Sequence, residues 1–377
     1  MTAALQPDTR RLLGPAPETP LPLLDAPALL DLADRCGLTG RGGAGFPTAV
    51  KLRAVAGHRP VVVGNALEGE PLSGKDAVLL DRSAGLVLDG LTLVGTALGA
   101  RRLLLATGPE VDPSGLEPAA RARGIEVHRV PGGFVAGQES ALVSRLSGGP
   151  GLPRDPLVRV TTRGVDGKPT LVSNVETLAQ LALAARYGAE WFRSAGTAED
   201  PGTSLFTITG SVRRPGVVEA PRGSRLVDVL VRAEPVDPVA VLVGGYHGAW
   251  VTRLDVPLTR SALAPYSAAV GAGVLNVLGA GTCPLRVTAD ILGYLAAEGA
   301  GQCGPCVNGL PRMATALSRL AAGVRDPWLP RELERLGPLV SGRGACAHPD
   351  GTARLVASTL RTFAAHVDAH LDGRCPA

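Results

Sequence analysis

The sequence predicts an α/β protein: an N-terminal domain of alternating short strands and helices, then a small β-grasp-like module, then a helical C-terminal region. Three observations predict it. Apolar runs bounded by Gly and Pro alternate with amphipathic stretches over the first half. Around residue 200 the texture changes to strands divided by Pro-Gly turns, and from about Pro284 helical periodicity takes over. Composition agrees, since 45% of the 377 residues are hydrophobic but only 3% aromatic, with 49 Gly and 32 Pro. The cores must therefore be built from Ala, Val and Leu, with many turns between short elements.

Four segments follow. Residues 1–25 form an extended arm rich in Pro and Leu, 26–200 the α/β domain, 201–283 the β-grasp-like module and 284–377 the helical domain. Ala26 to Cys36 places apolar side chains on one helical face and ends at Gly37, a C-cap. Residues 60–66 (PVVVGNA), 102–106 (RLLLA) and 125–130 (IEVHRV) are strands, with a helix from Asp81 to Leu98 between the first two. Such alternation implies a parallel sheet covered on both faces, whose ligands sit at the carboxyl ends of the strands. From Ser204 to Ala233 the reading is strand, Pro-Gly turn, strand, Pro-Arg-Gly turn, helix; VAVLVGGYHGAWV and GAGVLNVLG are further strand signals. Three or four antiparallel helices with cysteines at their ends complete the chain.

Several classes of function are disfavoured. Lys+Arg (38) and Asp+Glu (34) are interspersed without a basic block, which argues against nucleic-acid binding. The most apolar stretch, Leu86 to Ala100, is broken by Asp89 and is too short to cross a membrane. No continuous apolar core follows the N-terminal arginines, so a cytoplasmic location is expected.

Chemistry concentrates in four polar loops and one cysteine cluster. The loop 40–47 (GRGGAGFP) lets backbone N–H groups approach a phosphate, and the following helix carries Lys51 within reach of an anion. Asn65, Glu68 and Glu70 follow a strand, where an amide and carboxylates suit ribityl or ribose hydroxyls. Gly132 to Ser140 repeats the pattern of strand, glycine turn and helix, and Asn174 and Thr177 stand at the start of another helix. Each segment alone also has an architectural reading: a positive-φ turn, a capped strand end, a helix N-cap. Cys303-Gly-Pro-Cys306, with Cys346 downstream, is compatible with a metal or iron–sulfur site, a dithiol redox pair, or structural thiols.

Taken in order, these segments resemble the NADH- and FMN-binding subunit of NADH:quinone oxidoreductase and its relatives in NAD-dependent hydrogenases and formate dehydrogenases. GRGGAGFPTAVKL is similar to the family's glycine loop, NALEGEP to N-A-D-E-G-E-P, GQESAL to G-E-E-T-A-L, and SNVETLA to N-N-V-E-T. The resemblance runs from about residue 26 to 366. It implies a Rossmann-like FMN domain, a β-grasp module of the soluble-ligand-binding (SLBB) type and a helical iron–sulfur bundle. It further implies FMN contacts by Gly40, Gly42, Gly43, Lys51, Asn65, Glu68, Gly137, Glu139 and Asn174, with Phe46 and Glu70 beside the nicotinamide. Hydride passes in that family from NADH to FMN, and electrons leave singly through a [4Fe–4S] cluster. No side chain is expected to act as a catalytic acid, base or nucleophile, because the chemistry is the cofactor's.

The departures have content of their own. The first Cys of the family's C-x-x-C-x-x-C is Ala300 here, leaving Cys303, Cys306 and Cys346 to hold a [4Fe–4S] or [3Fe–4S] cluster. Cys375 in the C-terminal tail is the expected fourth ligand, in preference to Cys283. The family's Asp is Leu67, the first Glu of G-E-E is Gln138, and its Tyr is Phe134. The reading is a flavoprotein oxidoreductase passing electrons from NAD(P)H through FMN and one cluster to a ferredoxin-like carrier or another redox subunit. Two rival readings stand beside it: a non-catalytic scaffold that keeps the fold, and a dithiol oxidoreductase at Cys303 and Cys306.

Overall fold

The structure, a computed structural model, describes residues 11–154 and 157–377, so the first ten residues of the expected arm lie outside it. The chain divides into two compact units. The first holds residues up to Leu152 with Leu157–Thr207 and Val217–Ser224; the second holds Ile208–Gly216, Arg225–Ala377 and the segment at Pro153.

The first unit runs α1 (Ala26–Cys36), α2 (Thr48–Arg53), β1 (Val61–Ala66), α3 (Lys75–Ala97), β2 (Arg102–Thr107), α4 (Glu117–Arg121), β3 (Ile125–Arg129), α5 (Glu139–Leu146), β4 (Thr170–Asn174) and α6 (Val175–Arg193). Helix α1 has both expected ends. Asp25 Oδ1 accepts the Ala28 N–H at 2.9 Å, and Gly37 turns left-handed at φ 63°. Helix α3 starts six residues before the expected Asp81, because the Glu68 carboxylate accepts the Ala77 N–H at 3.1 Å and caps its first turn.

The four strands form a parallel sheet in the order β3-β2-β1-β4, as the strand–helix alternation predicts. Alternation within β1 divides its side chains between two cores. Val62 and Ala66 pack with Leu79, Leu91 and Leu178 of α3 and α6, while Val61 and Val63 pack with Leu142 and Val143 of α5. The register sets Asn65 beside Asn174, and the parallel direction puts the ends of all four strands on one side. Residues 11–24 form no helix or strand but are not loose. Leu12 is fully buried, and Glu219 Oε2 accepts the N–H groups of Arg11, Leu12 and Leu13 at 2.9–3.1 Å.

Strands β5 (Thr203–Gly210) and β6 (Gly216–Pro221) carry the chain from the first unit into the second. The second unit continues with α7 (Leu226–Leu230), β7 (Pro238–Val243), β8 (Ala249–Val251), α8 (Arg260–Leu263) and β9 (Val274–Gly279). The run VAVLVGGYHGAWV is therefore two strands; β7 pairs antiparallel with both β8 and β9. Helices α9 (Pro284–Ala297), α10 (Leu310–Ala321), α11 (Trp328–Val340), α12 (His348–Thr362) and α13 (Ala364–Leu371) enclose a core around Leu292, Met313, Leu317, Leu333 and Val356. Trp250 of β8 is locked to α12, donating Nε1–H to Thr359 Oγ1 at 3.1 Å. No helix among the described residues is long and apolar enough to cross a membrane.

Candidate functional site

The polar loops of the first unit meet at the carboxyl ends of β1 and β4. Asn65, next to last in β1, donates Nδ2–H to the Gly137 carbonyl at 3.0 Å, and its Oδ1 accepts the Leu67 N–H at 3.1 Å. One side chain thus ties the loop after β1 to the glycine turn before α5. The two loops touch again at Gly69, where a Cβ would lie 2.3 Å from the Phe134 carbonyl oxygen. Lys51, from the helix after the first glycine loop, reaches Glu139 Oε1 at 2.7 Å.

The glycine loop closes as a narrow hairpin, with Gly40 N–H donating to the Phe46 carbonyl at 2.8 Å and a bridge between Thr39 and Pro47. Gly43 and Gly45 have φ of 110° and 61°, which side-chain-bearing residues rarely adopt. A Cβ on Gly42 would lie 3.1 Å from the Asn174 Cβ. The result is a tight glycine cradle packed against Asn174, with little space for a side chain at Gly42. Phe46, at its edge, is half exposed. Arg41 does not face the cradle. It is buried against Thr39 and the Pro201 carbonyl, and burial, helped by Arg222, pulls its guanidinium down to about 9.

A buried charge network that sequence reasoning missed lies beneath. Lys75 Nζ is 2.6 Å from Asp76 Oδ1, 3.0 Å from Glu176 Oε2 and 3.4 Å from Asn174 Oδ1. Burial pulls this ammonium down, but Asp76 and Glu176 outweigh it and hold Lys75 above its ordinary range. The only signal was an adjacent Lys and Asp opening an apolar helical run. Asn174 donates Nδ2–H to Asp76 Oδ2 at 2.6 Å and to the Asn65 carbonyl at 3.4 Å, while its Oδ1 caps α6 through the Glu176 N–H. Both amide donors of Asn174 are therefore engaged by protein. Glu68 is likewise engaged, accepting from Ser73 Oγ at 2.5 Å and the Ala77 N–H; burial, with Asp76 nearby, raises its carboxyl. Thr177 Oγ1 accepts the Arg41 N–H at 2.8 Å.

Two departures gain a physical account. Gln138 caps α5, its Oε1 accepting the Ser140 and Ala141 N–H groups at 2.9 Å, a task that needs an acceptor but no charge. Leu67 is buried beside Val130 and Val160, an apolar wall where the resemblance places a carboxylate.

In the second unit, Cys303 and Cys306 flank the start of a single π-helical turn, Pro305–Gly309, that leads into α10, and Cys346 lies just before α12. Burial acts to raise the Cys303 thiol, but N–H groups of Cys306 and Ala345 and a hydrogen bond with Cys306 leave it lowered. Burial, together with that shared hydrogen bond, pushes Cys306 up to about 11; burial also raises Cys346. Backbone N–H groups of Ala300 and His348 point at Cys306 and Cys346 respectively. Cys303 and Cys306 share a side-chain hydrogen bond, and Cys346 is near enough for its charge to act on Cys306, so the three thiols form one neighbourhood. Thiols gathered with several backbone amide donors are the kind of surroundings that tune an iron–sulfur cluster.

Cys375 does not join them. It lies against Cys283 and His370, and Cys283 is the N-cap of α9, at the other end of that helix from Gly299, whose Cβ would touch Cys306. The expected fourth ligand is thereby corrected: the tail is folded back by α13 to the wrong end of α9.

Residues 33–183 match the Nuo51 FMN-binding domain, and residues 286–370 match the NADH-ubiquinone oxidoreductase-F iron-sulfur binding region. The chain is 30% identical over 379 residues to an F-type NADH-quinone oxidoreductase subunit of Rhizobium meliloti, covering 92% of this chain and 90% of that protein. It is 31% identical to the NADP-reducing hydrogenase subunit HndC of Solidesulfovibrio fructosivorans, covering 93% and 77% respectively. In the crystal structure of NAD+-reducing [NiFe]-hydrogenase in the H2-reduced state, one chain superimposes with a TM-score of 0.83 at 31% identity. The match covers 94% of this chain and 64% of that hydrogenase chain.

Proposed function

The chain belongs to the family of F-type subunits of NADH-quinone oxidoreductase, and from that premise we propose that it passes electrons from a nicotinamide nucleotide through FMN and one iron–sulfur cluster to another redox protein. The observation that carries this reading is the Asn65 side chain joining two polar loops beside the glycine cradle at the strand ends. When bound, FMN supplies hydride acceptance with single-electron release, and the cluster supplies one-electron carriage.

The protein's part is positioning. Gly40, Gly42 and Gly43 leave room for the FMN phosphate, and Lys51 supplies a cation held in place by Glu139. Asn65 fixes the loop that carries Glu68 and Glu70, while Asn174, with its donors engaged, and Glu68, with its acceptors engaged, act through the buried network rather than by contacting the flavin freely. Phe46, half exposed, is available to pack against the nicotinamide. Cys303, Cys306 and Cys346 hold the cluster, with the amides of Ala300, Ala345 and His348 setting its electrostatics. The strands from β5 to β9 fit an SLBB-type β-grasp module, and a ferredoxin-like carrier or a partner redox protein is the acceptor class.

The test is anaerobic purification with flavin, iron and sulfide quantified, followed by titration with NADH and with NADPH. Rapid bleaching of bound flavin by either nucleotide is expected. Protein that lacks flavin after reconstitution with FMN, or flavin that neither nucleotide bleaches, overturns the proposal.

A further inference from the structure

A second group of metal-type ligands lies apart from the three cysteines above. Cys283 Sγ, His370 Nε2 and Cys375 Sγ lie mutually within 4.8 Å. Cys283 precedes the first turn of α9, His370 sits in the last turn of α13, and Cys375 is in the exposed tail that follows. The 14 residues of α9 separate this group from the cysteines near its other end, about 21 Å at 1.5 Å per residue.

The imidazole is set up as a ligand. His370 Nδ1 lies 3.2 Å from the Leu320 carbonyl, which can only accept, so Nδ1 carries the proton. Nε2 then directs its lone pair toward Cys283 Sγ, 3.4 Å away. A backbone carbonyl that fixes the tautomer of a histidine in this way is the usual support of a metal-bound imidazole. A tetrahedral zinc held by thiolate and imidazole places sulfur and nitrogen about 3.6 Å apart and two sulfurs about 3.8 Å apart. Cys283 is hydrogen-bonded to Cys375 as well as to His370, so the same three side chains that share thiol hydrogen bonds here converge closely enough to share one ion.

The third ligand is delivered by a built turn. Gly373 adopts φ 75°, where a Cβ would lie 2.7 Å from Arg325 Nε. Backbone bonds from Gly373 N–H to the His370 carbonyl and from Arg374 N–H to the Ala369 carbonyl, both 2.9 Å, fold the tail back. His370 and Cys283 are 1% and 7% exposed, so two ligands are buried while the side of Cys375 is open to solvent.

We propose that Cys283, His370 and Cys375 bind a zinc-type divalent cation that clips the C-terminal tail onto the start of α9, with water completing the coordination. Two thiolates and a neutral imidazole favour a borderline-soft ion over magnesium or calcium. Binding converts two thiols to thiolates and releases their two protons to solvent.

The experiment uses the full chain, purified anaerobically with reductant, equilibrated with zinc chloride and freed of excess metal. Zinc, iron and flavin are measured for the wild type and for the Cys375→Ser, His370→Gln and Cys303→Ser variants. About one zinc per chain is expected in the wild type and in Cys303→Ser. Cys375→Ser, an exposed change that spares the fold, should weaken zinc binding on the order of tenfold or more with iron and flavin unchanged. Cobalt(II) in place of zinc should give a thiolate charge-transfer band that Cys375→Ser loses. Absence of zinc from the wild type, equal zinc in Cys375→Ser, loss of zinc only in Cys303→Ser, or a Cys283–Cys375 disulfide in the reduced preparation each overturns the proposal. Loss of iron in Cys375→Ser also overturns it, because the tail would then serve the cluster.

Discussion

Lys75 Nζ stands 3.0 Å from Glu176 Oε2, with the two side chains 3% and 1% exposed, and this buried pair joins the start of α3 to the start of α6 beneath the glycine cradle. Glu176 also accepts the Leu205 N–H at 3.1 Å, so the pair anchors the beginning of β5 as well. Removing one member of such a pair leaves a buried charge without compensation. Lys75→Met should cost about 3–5 kcal/mol, read as a lowered midpoint in urea unfolding of the first unit's signal. An unchanged midpoint would show that water enters the network and screens it.

The Lys51–Glu139 pair is a contrasting case, being 30% and 38% exposed. Exposed pairs contribute at most about 1 kcal/mol to stability. Lys51→Met should therefore leave thermal unfolding of the flavin-free protein nearly unchanged while weakening FMN binding about tenfold, measured by flavin fluorescence quenching. Equal flavin affinity in the variant would remove Lys51 from the site.

Gly69→Ala tests the contact between the loop after β1 and the turn before α5, since the added Cβ meets the Phe134 carbonyl oxygen at 2.3 Å. Backbone cannot swing aside as a side chain can. The loops should separate at a cost of about 1–3 kcal/mol, and purified protein should retain less flavin than wild type. Full flavin retention would show that the contact is incidental to the site.

Acid should destabilise the second unit through His247. Burial, together with the neighbouring His348, lowers this imidazole from 6.5 to about 3. His247 Nε2 lies 3.1 Å from His348 Nδ1, and His348 Nε2 lies 2.8 Å from the Leu295 carbonyl. That carbonyl makes His348 Nε2 the donor and its Nδ1 the acceptor of the His247 proton. Below its ordinary value the unfolded chain binds a proton at His247 that the folded chain refuses. Stability therefore falls as pH drops from about 6.5, by up to about 1.4 kcal/mol per unit, flattening near the folded value and absent above neutrality. Urea unfolding from about pH 7 to pH 5 should show this slope, and His247→Gln should flatten it.

Ala300→Cys restores a cysteine three residues before Cys303, in the segment whose amide already faces Cys306. On the proposed ligand set of Cys303, Cys306 and Cys346, iron retained per chain after exposure to air should rise relative to wild type, because a fourth thiolate would complete the coordination of a cluster held there. Iron measured before and after oxygen exposure checks this. Equal loss in both proteins would mean that another group already fills that position.

Much of the architecture of the first unit could be read from the sequence. Strand, glycine turn and helix follow one another because β-branched runs, Gly and amphipathic periodicity each limit local backbone choices, and a parallel sheet then brings all its strand ends to one side. The helix cap at Gly37 was legible for the same local reason, whereas Asn65, Gly137 and Asn174 were singled out by the family resemblance, and the fold brings them together at the strand ends. Tertiary structure alone decided how those residues are used. Lys75 meets Glu176 only because α3 and α6 pack side by side on one face of the sheet, and their pairing carries no local signature. Gln138 proved a helix cap, and Asn174 a residue whose donors are already engaged. Cys375 was assigned by chain flexibility to the cluster, yet packing of α13 delivers it to Cys283 and His370. Apolar burial sets the directions of helices, and those directions, rather than distances along the chain, choose which cysteines become neighbours.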